Sequence, residues 1–305
     1  MDRPIRWRKR AGYFVQYLAI RLLFGLLRLL PVDKASAVGG RFGRCIGPCL
    51  RRHAVARANM RRALPELSDA AVETALSEMW DNLGRTFAEY AHLGTLAQAL
   101  AAGDGRIEVH GREHIDAAIA AGKGAILFGG HFANWELSVL LQTLTPVEAV
   151  LVYRQQNNTW INRLLARLRT AHARALAPKG AAGARDMIGA LRRGGLVGVL
   201  VDQKYNEGVA VPFFGRAAMT VSGPAELALR RAIPLVPVHI ERTGGATFCV
   251  TVLTPLALPP PDSGDTGLYD VLSRMNALLE AWIRARPGQW YWVHQRWPRD
   301  DQPID

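Results

Sequence analysis

Cysteine is scarce in this 305-residue chain: Cys45, Cys49 and Cys249 are its only thiols, too few for a disulfide framework. The Cys45–Cys49 spacing is one residue too wide for a C-x-x-C redox or zinc pair, and the shortage fits a reducing, cytoplasm-facing location. Long hydrophobic runs are missing too. The charge-free stretch before Arg21 covers only Ala11 to Ile20, short of the roughly 18 residues of a clear membrane span. There is no H-E-x-x-H for a zinc protease and no G-x-S-x-G elbow for an α/β-hydrolase. Walker A and G-x-G-x-x-G loops are absent as well, which leaves nucleotide binding unsupported. The composition, 49% apolar and 21% charged, excludes a disordered or fibrous chain, and the length is enough to bury a core without disulfides or a structural metal.

Positive charge, by contrast, is plentiful and uneven. The formal net charge is +12, and residues 1–62 carry fifteen Lys and Arg against only Asp2 and Asp33, so the whole surplus sits at one end. A basic end suits an anionic partner, either nucleic acid or a phospholipid surface. Inside it, Tyr13 to Leu30 reads YFVQYLAIRLLFGLLRLL. Arg21 and Arg28, seven apart, share one helix face and leave the others apolar. This reads as an interfacial anchor or a span with snorkelling arginines; the alternative is a buried amphipathic helix of the domain itself. The interrupted run lacks a small-x-small cleavage site, which argues against a signal peptide. With no nucleic-acid motif present, an anionic membrane surface is the expected partner and nucleic acid is not.

Hydrophobic periodicity divides the chain into three stretches. Residues 1–30 are the expected anchor helix. Residues 31–103 read as helical: Val72, Leu76, Met79, Leu83, Phe87 and Tyr90 recur at steps of three and four behind the N-cap candidate Ser68. From Arg106 the rhythm alternates. Strands are expected at 106–110, 125–128, 147–153, 196–201, 235–240 and 247–253. Helices are expected at 112–121, 133–143, 157–171, 183–193 and 224–232, with a final one through Leu268 to Trp282. The alternation predicts an α/β domain over 104–305, forming one folded unit with 31–103, with a largely parallel central sheet flanked by helices.

The most informative segment is GAILFGGHFANWEL, residues 124–137. An apolar strand runs into Gly129-Gly130 and His131, then an apolar helix follows; in open α/β sheets, ligands bind at such carboxyl ends of strands. The paired glycines allow a sharp turn and close approach of a substrate. Glu136 stands five residues beyond His131, a step that does not align two side chains on a regular helix. His131 must therefore lie in the turn if Glu136 is to reach it, orient the imidazole and make it a general base for an alcohol. A helix-capping His131 with a solvated Glu136 is the structural alternative. No serine or cysteine is obviously placed as a nucleophile, so direct transfer assisted by a base fits better than a covalent intermediate.

Taken together, these and later motifs resemble one family, the bacterial lipid A biosynthesis acyltransferases, which include late lauroyl and myristoyl transferases and mycobacterial-type mannolipid acyltransferases. The resemblance spans nearly the whole chain: the basic apolar N-terminus, Asn59 with Leu64-Pro65, Glu89, GGHFANWE at 129–136, and Tyr153-Arg154 with Asn157. It continues through Arg169, Leu200-Val201-Asp202-Gln203, Pro212-Phe213-Phe214-Gly215, Thr220 with Gly223, and Trp292 followed by His294-Gln295-Arg296-Trp297. It implies a glycerophosphate-acyltransferase-like fold, His131 as catalytic base and Glu136 as its partner. It also implies Arg154 and Arg169 near a phosphorylated acceptor, with Asn134, Asp202 and Gln203 as further substrate-binding residues. Gln155 and Ala171-His172-Ala173 depart from the usual proline and glycine at those places, around the acceptor side.

The implied activity is transfer of a fatty acyl chain from acyl carrier protein or acyl-CoA to a hydroxyl of a lipid A precursor. It would proceed at the cytoplasmic face of the inner membrane, in a monomer, with no metal or organic cofactor. A lysophospholipid, ornithine lipid or other glycolipid acceptor keeps the same chemistry. A non-catalytic basic membrane-surface binding protein is the reading from another class, and the intact His131 and Glu136 argue against it. His294 and its tryptophan neighbours are expected to pack and to anchor at the interface; His53, His92 and His172 are expected at the surface.

Overall fold

The computed structural model describes residues 7–297 apart from Lys179 and Pro261. The start of the expected anchor, residues 1–6 with Arg3 and Arg6, and residues 298–305 of the expected final domain lie outside the described residues. Five helices come first: α1 (Trp7–Leu27), α2 (Val32–Ile46), α3 (Arg51–Ala63), α4 (Asp69–Glu89) and α5 (Leu93–Ala102). Ser68 caps α4, its side chain accepting from the Ala71 N–H at 3.3 Å, which satisfies one otherwise orphan donor. The alternating part comprises β1 (Ile107–His110), α6 (Glu113–Ala120), β2 (Ala125–Gly129), β3 (Ala149–Tyr153), α7 (Thr159–Thr170), β4 (Ala175–Pro178) and α8 (Ala181–Arg192). It ends with β5 (Leu196–Leu200), β6 (Val209–Phe213), β7 (Arg216–Thr220), α9 (Gly223–Arg231), β8 (Leu235–Gly244), β9 (Thr247–Val252) and α10 (Gly264–Ala285).

Seven strands form one sheet in the order β1-β9-β8-β2-β5-β3-β4. From β8 to β4 every pairing is parallel; β9 folds back antiparallel on β8, and β1 pairs parallel with β9. The sheet is thus largely parallel as expected, with one edge pair reversed. β2 lies near its centre and is buried at every residue. Ile126 and Phe128 point into a core shared with Met275 and Leu279 of α10 and with Trp290, while Ala125 and Leu127 meet Ile115 and Ala118 of α6. A strand covered on both faces reads as an unbroken apolar run, which is what AILF is.

Several local expectations change. The segment after His131, expected as a helix over 133–143, is a 3-10 segment, Trp135–Leu144. β4 and the antiparallel β6–β7 hairpin are additions; the hairpin turns at Phe214 and Gly215, with φ of 53° and 66°. His53 and His92 are buried rather than exposed: the Trp80 indole donates to His53 Nδ1 at 2.9 Å, and His92 Nε2 lies 3.0 Å from the Leu27 carbonyl. Trp290, Trp292 and Trp297 are buried as well, so these three pack and do not anchor at an interface. Among the described residues no helix is long and apolar enough to cross a membrane. α1 instead packs on one side through Phe24 and Leu27 and exposes Phe14, Leu18, Leu22 and Leu26 on the other.

Candidate active site

Three neighbouring strands, β2, β5 and β3, carry His131, Asp202 and Arg154 just beyond their carboxyl ends. Gly129 pairs in register with Leu200, so the two chains leave the sheet side by side, and the Val201 N–H continues the ladder to the Gly129 carbonyl at 3.0 Å. Gly129 and Gly130 are glycines for lack of space. A Cβ on Gly129 would lie 2.6 Å from the Val238 carbonyl oxygen, and one on Gly130 2.7 Å from the Phe132 ring. The sharp bend falls at Ala133, whose φ of 45° is uncommon for a residue with a side chain.

That conformation is over-determined by its surroundings. The Ala133 carbonyl accepts from Asn82 Nδ2 at 3.0 Å and Thr86 Oγ1 at 2.9 Å, both on α4. Its N–H donates to the Gln289 carbonyl at 2.9 Å, and the Tyr291 N–H donates to the His131 carbonyl at 3.1 Å. Residues 289–291 therefore run antiparallel beside the turn, which sets the Trp290 indole against Asp202.

His131 faces Asp202. Its Nδ1 lies 2.7 Å from Asp202 Oδ1, while Asp202 Oδ2 accepts from the His131 backbone N–H at 2.8 Å and from Trp290 Nε1 at 2.7 Å. Burial alone would raise the Asp202 carboxyl, but the His131 imidazole and these N–H donors outweigh it and hold it at about 2. An ionised carboxylate at Nδ1 fixes the tautomer and leaves Nε2 as the proton acceptor. Trp135 and Tyr291 flank the ring, with centroids at 5.2 and 5.9 Å. Gln203 Nε2 lies 3.2 Å from His131 Nε2.

The expected pairing of His131 with Glu136 is not formed. Glu136 accepts from Arg169 Nε and Nη2, each at 2.7 Å, and from Trp135 Nε1 at 3.0 Å. The turn sends the His131 ring toward β5 and the 3-10 segment carries Glu136 toward α7. Arg169 donates also to the Tyr90 hydroxyl at 2.8 Å. Burial pushes its guanidinium down, and the Glu136 carboxylate outweighs that and holds it above its ordinary value. Arg169 thus has its charge partner inside the protein instead of awaiting an acceptor phosphate. Asn134 is completely buried, donating to Glu89 at 2.8 Å and accepting from the Glu136 N–H at 3.1 Å, so it braces the turn rather than reaching a substrate. Glu89 is in turn clamped by Arg242, with contacts of 2.6 and 3.0 Å.

A cavity of about 640 Å³ opens at His131, within the range of small-molecule sites. Much of its wall is apolar, including Ile115, Leu127, Leu140, Leu151 and Val252, while exposed Arg52 and Arg154 and half-buried Lys204 supply cations. His294 accepts from the Lys204 N–H at 3.0 Å, and burial holds its imidazole down at about 4. Among the site residues missed in the sequence are Trp290 and Arg52. The first lay in plain view within the aromatic run QWYWVHQRW; the second was one arginine among many, with no signal to single it out.

The chain matches the family model for bacterial lipid A biosynthesis acyltransferase over residues 6–299. It is 27% identical over 293 residues to a lipid A biosynthesis lauroyltransferase of Escherichia coli (strain K12), covering 93% of this chain and 91% of that protein. Similarity to a lipid A biosynthesis palmitoleoyltransferase of the same organism is 26% over 294 residues, with the same coverage. A phosphatidylinositol mannoside acyltransferase of Mycobacterium tuberculosis (strain CDC 1551 / Oshkosh) is 26% identical over 254 residues, 80% of this chain and 77% of that one. With the match running almost end to end through the His131 turn, the chain belongs to the bacterial lipid A biosynthesis acyltransferase family and is an acyltransferase.

Proposed function

We propose that the protein transfers a fatty acyl chain from an acyl thioester, acyl carrier protein or coenzyme A, to a hydroxyl of a lipid A precursor, with His131 as general base. The observation that carries this is an imidazole whose Nδ1 is held by a buried carboxylate and whose ring lines a largely apolar cavity. Nε2 takes the hydroxyl proton as oxygen attacks the thioester carbonyl, a role worth roughly 10²–10⁴ in rate. The C–S bond then breaks and the imidazolium returns the proton to the departing thiolate. Asp202 orients the ring and stabilises its charged form. The Glu136–Arg169 pair shapes the wall beside it. Arg154 and Arg52 offer guanidinium groups to acceptor phosphates, which they can grip bidentately.

In this reading the reaction runs at the cytoplasmic face of the inner membrane. The outward apolar face of α1, flanked by basic residues, supports contact with an anionic leaflet without crossing it. A second reading, a glycolipid acceptor outside lipid A, is favoured by the similarity to a mannoside acyltransferase. Incubating the purified protein with acyl carrier protein thioester or acyl-CoA, and separately with a lipid A precursor, a phosphatidylinositol mannoside and a lysophospholipid, tests both. Product mass should show one added acyl chain on the lipid A precursor, absent with His131→Ala. Transfer by a folded His131→Ala variant near the wild-type rate would end the general-base reading, and acylation of another lipid alone would end the acceptor assignment.

A further inference from the structure

In the resting site the proton-accepting atom of the base is already occupied. With Nδ1 donating to Asp202, the lone pair of His131 lies on Nε2, and the Gln203 amide sits 3.2 Å from it. A hydroxyl that gives its proton to Nε2 must come within hydrogen-bond reach of that same atom. Hydroxyl and amide therefore compete for one lone pair. We propose that Gln203 is a resting-state cap on His131, displaced by the acceptor hydroxyl, and that it suppresses hydrolysis of the thioester donor; this rests on His131 being the base.

The fold confines the displacement to a side chain. Just before Gln203, Asp202 is fixed by the His131 and Trp290 donors. Just after it, the Lys204 N–H is held by His294 and the Tyr205 N–H by the Met219 carbonyl at 3.1 Å. Between these pinned points the part-exposed Gln203 side chain lines the cavity and can turn about its own bonds. An amide also suits both forms of the ring. Its N–H₂ donates to neutral imidazole, and its oxygen can accept from the Nε2–H of imidazolium.

Water is the competitor that the cap excludes. A water that lost its proton to Nε2 would attack the thioester carbonyl carbon; the C–S bond would break and the imidazolium would pass the proton to sulfur. The products are a fatty acid and a free thiol. The lipid acceptor follows the same steps and ends as an ester, but it brings binding energy from its remote groups to offset the lost hydrogen bond. Water brings none. One neutral hydrogen bond corresponds to about a two- to tenfold effect, so the cap sets a partition between two outcomes rather than switching the enzyme off.

The test uses the full chain with Gln203→Ala and Gln203→Met, the second keeping an unbranched side chain of similar reach without the amide. Two measurements need no acceptor: fatty acid release from a fatty acyl-CoA, and diethyl pyrocarbonate modification of His131, read on its peptide by mass. Both should rise about two- to tenfold in both variants, with unchanged melting temperature. Wild-type values in both variants would overturn the cap. So would a Gln203→Met variant that behaves as wild type while Gln203→Ala does not, since bulk alone would then explain the contact. The base and the cap fail separately: an active His131→Ala ends the first, whereas an inactive His131→Ala beside unchanged Gln203 variants ends only the second.

Discussion

Asp202 meets His131 twice, one carboxylate oxygen on the ring Nδ1 at 2.7 Å and the other on the backbone N–H at 2.8 Å. The same group thus fixes both the peptide and the imidazole of the residue it serves, and the Trp290 indole holds it in place from the far side. Removing its charge should therefore act on the chemistry more than on binding. Asp202→Asn is expected to lower kcat by about 10²–10⁴ with little change in acceptor KM. Trp290→Phe, which deletes one of the three donors, should cost about tenfold. Steady-state kinetics with a melting curve on each variant checks both.

Glu136→Gln should be mainly a stability variant. Its buried carboxylate is the charge partner of part-buried Arg169, and a largely desolvated charge left without its partner costs up to about 3–5 kcal/mol. A melting temperature lowered by several degrees is expected, with the acid limb of the activity profile unmoved. A shifted acid limb at wild-type stability would instead tie Glu136 directly to His131.

Arg154 is exposed at the cavity, unlike Arg169. Arg154→Lys keeps the charge but loses the planar fork, so acceptor KM should rise several-fold while kcat and melting temperature hold. Arg52→Ala should act in the same direction. An unchanged KM in either variant removes that residue from acceptor binding.

Leu18→Asp with Leu22→Asp places two carboxylates on the outward face of α1. Sedimentation with vesicles rich in anionic phospholipid should show binding reduced tenfold or more, at unaltered circular dichroism. Binding of the native protein should also weaken at high salt, as screening removes the attraction of its basic end.

Acid should loosen the fold through desolvated histidines, buried His239 and part-buried His294. Burial holds His239 and His294 at about 4 against an ordinary 6.5. The unfolded chain therefore takes up protons that the native state refuses, and stability falls as pH drops from about 6.5 toward about 4. Asp202 has the opposite sign. Its value of about 2 lies below the ordinary 3.8, so its contribution is present above 3.8 and is lost only as pH falls through about 2. His239 stacks on Trp282 at 4.5 Å and meets Phe132 edge-on at 5.1 Å. His239→Phe should flatten the decline in melting temperature between pH 6.5 and 4.5, measured by calorimetry.

Much of the sheet was legible because burial on two faces writes an apolar run, and AILFG and LVGVL need no context to be recognised. β4 escaped notice because ALAP is small and contains proline. The β6–β7 hairpin escaped because its turn relies on Phe214 at positive φ, where sequence rules look for glycine or asparagine. His131 was legible from the strand-to-turn change, but its partner was not. Chain order runs β2, β3, β4, β5, whereas space puts β5 directly beside β2. A carboxylate 71 residues away therefore reaches the imidazole that one five residues away does not. Local spacing cannot reveal a crossover, so Asp202 was expected among the substrate-binding residues and not beside the His131 ring. The tail tryptophans pack as expected, but the three buried ones do not also reach an interface; amphipathic rings suit both an interface and a core, so composition alone does not separate the two.

The bend at Ala133 is closed from both sides in sequence, by Asn82 and Thr86 before it and by Gln289 well after it. Synthesis proceeds from the first of these to the last. A growing chain that already carries His131 and Asp202 still lacks the backbone that holds the turn and the indole that secures the carboxylate. Competence should therefore arrive all at once, when residues 289–291 leave the ribosome, and a chain that stops short of them should leave the cell's pool of activated fatty acids untouched.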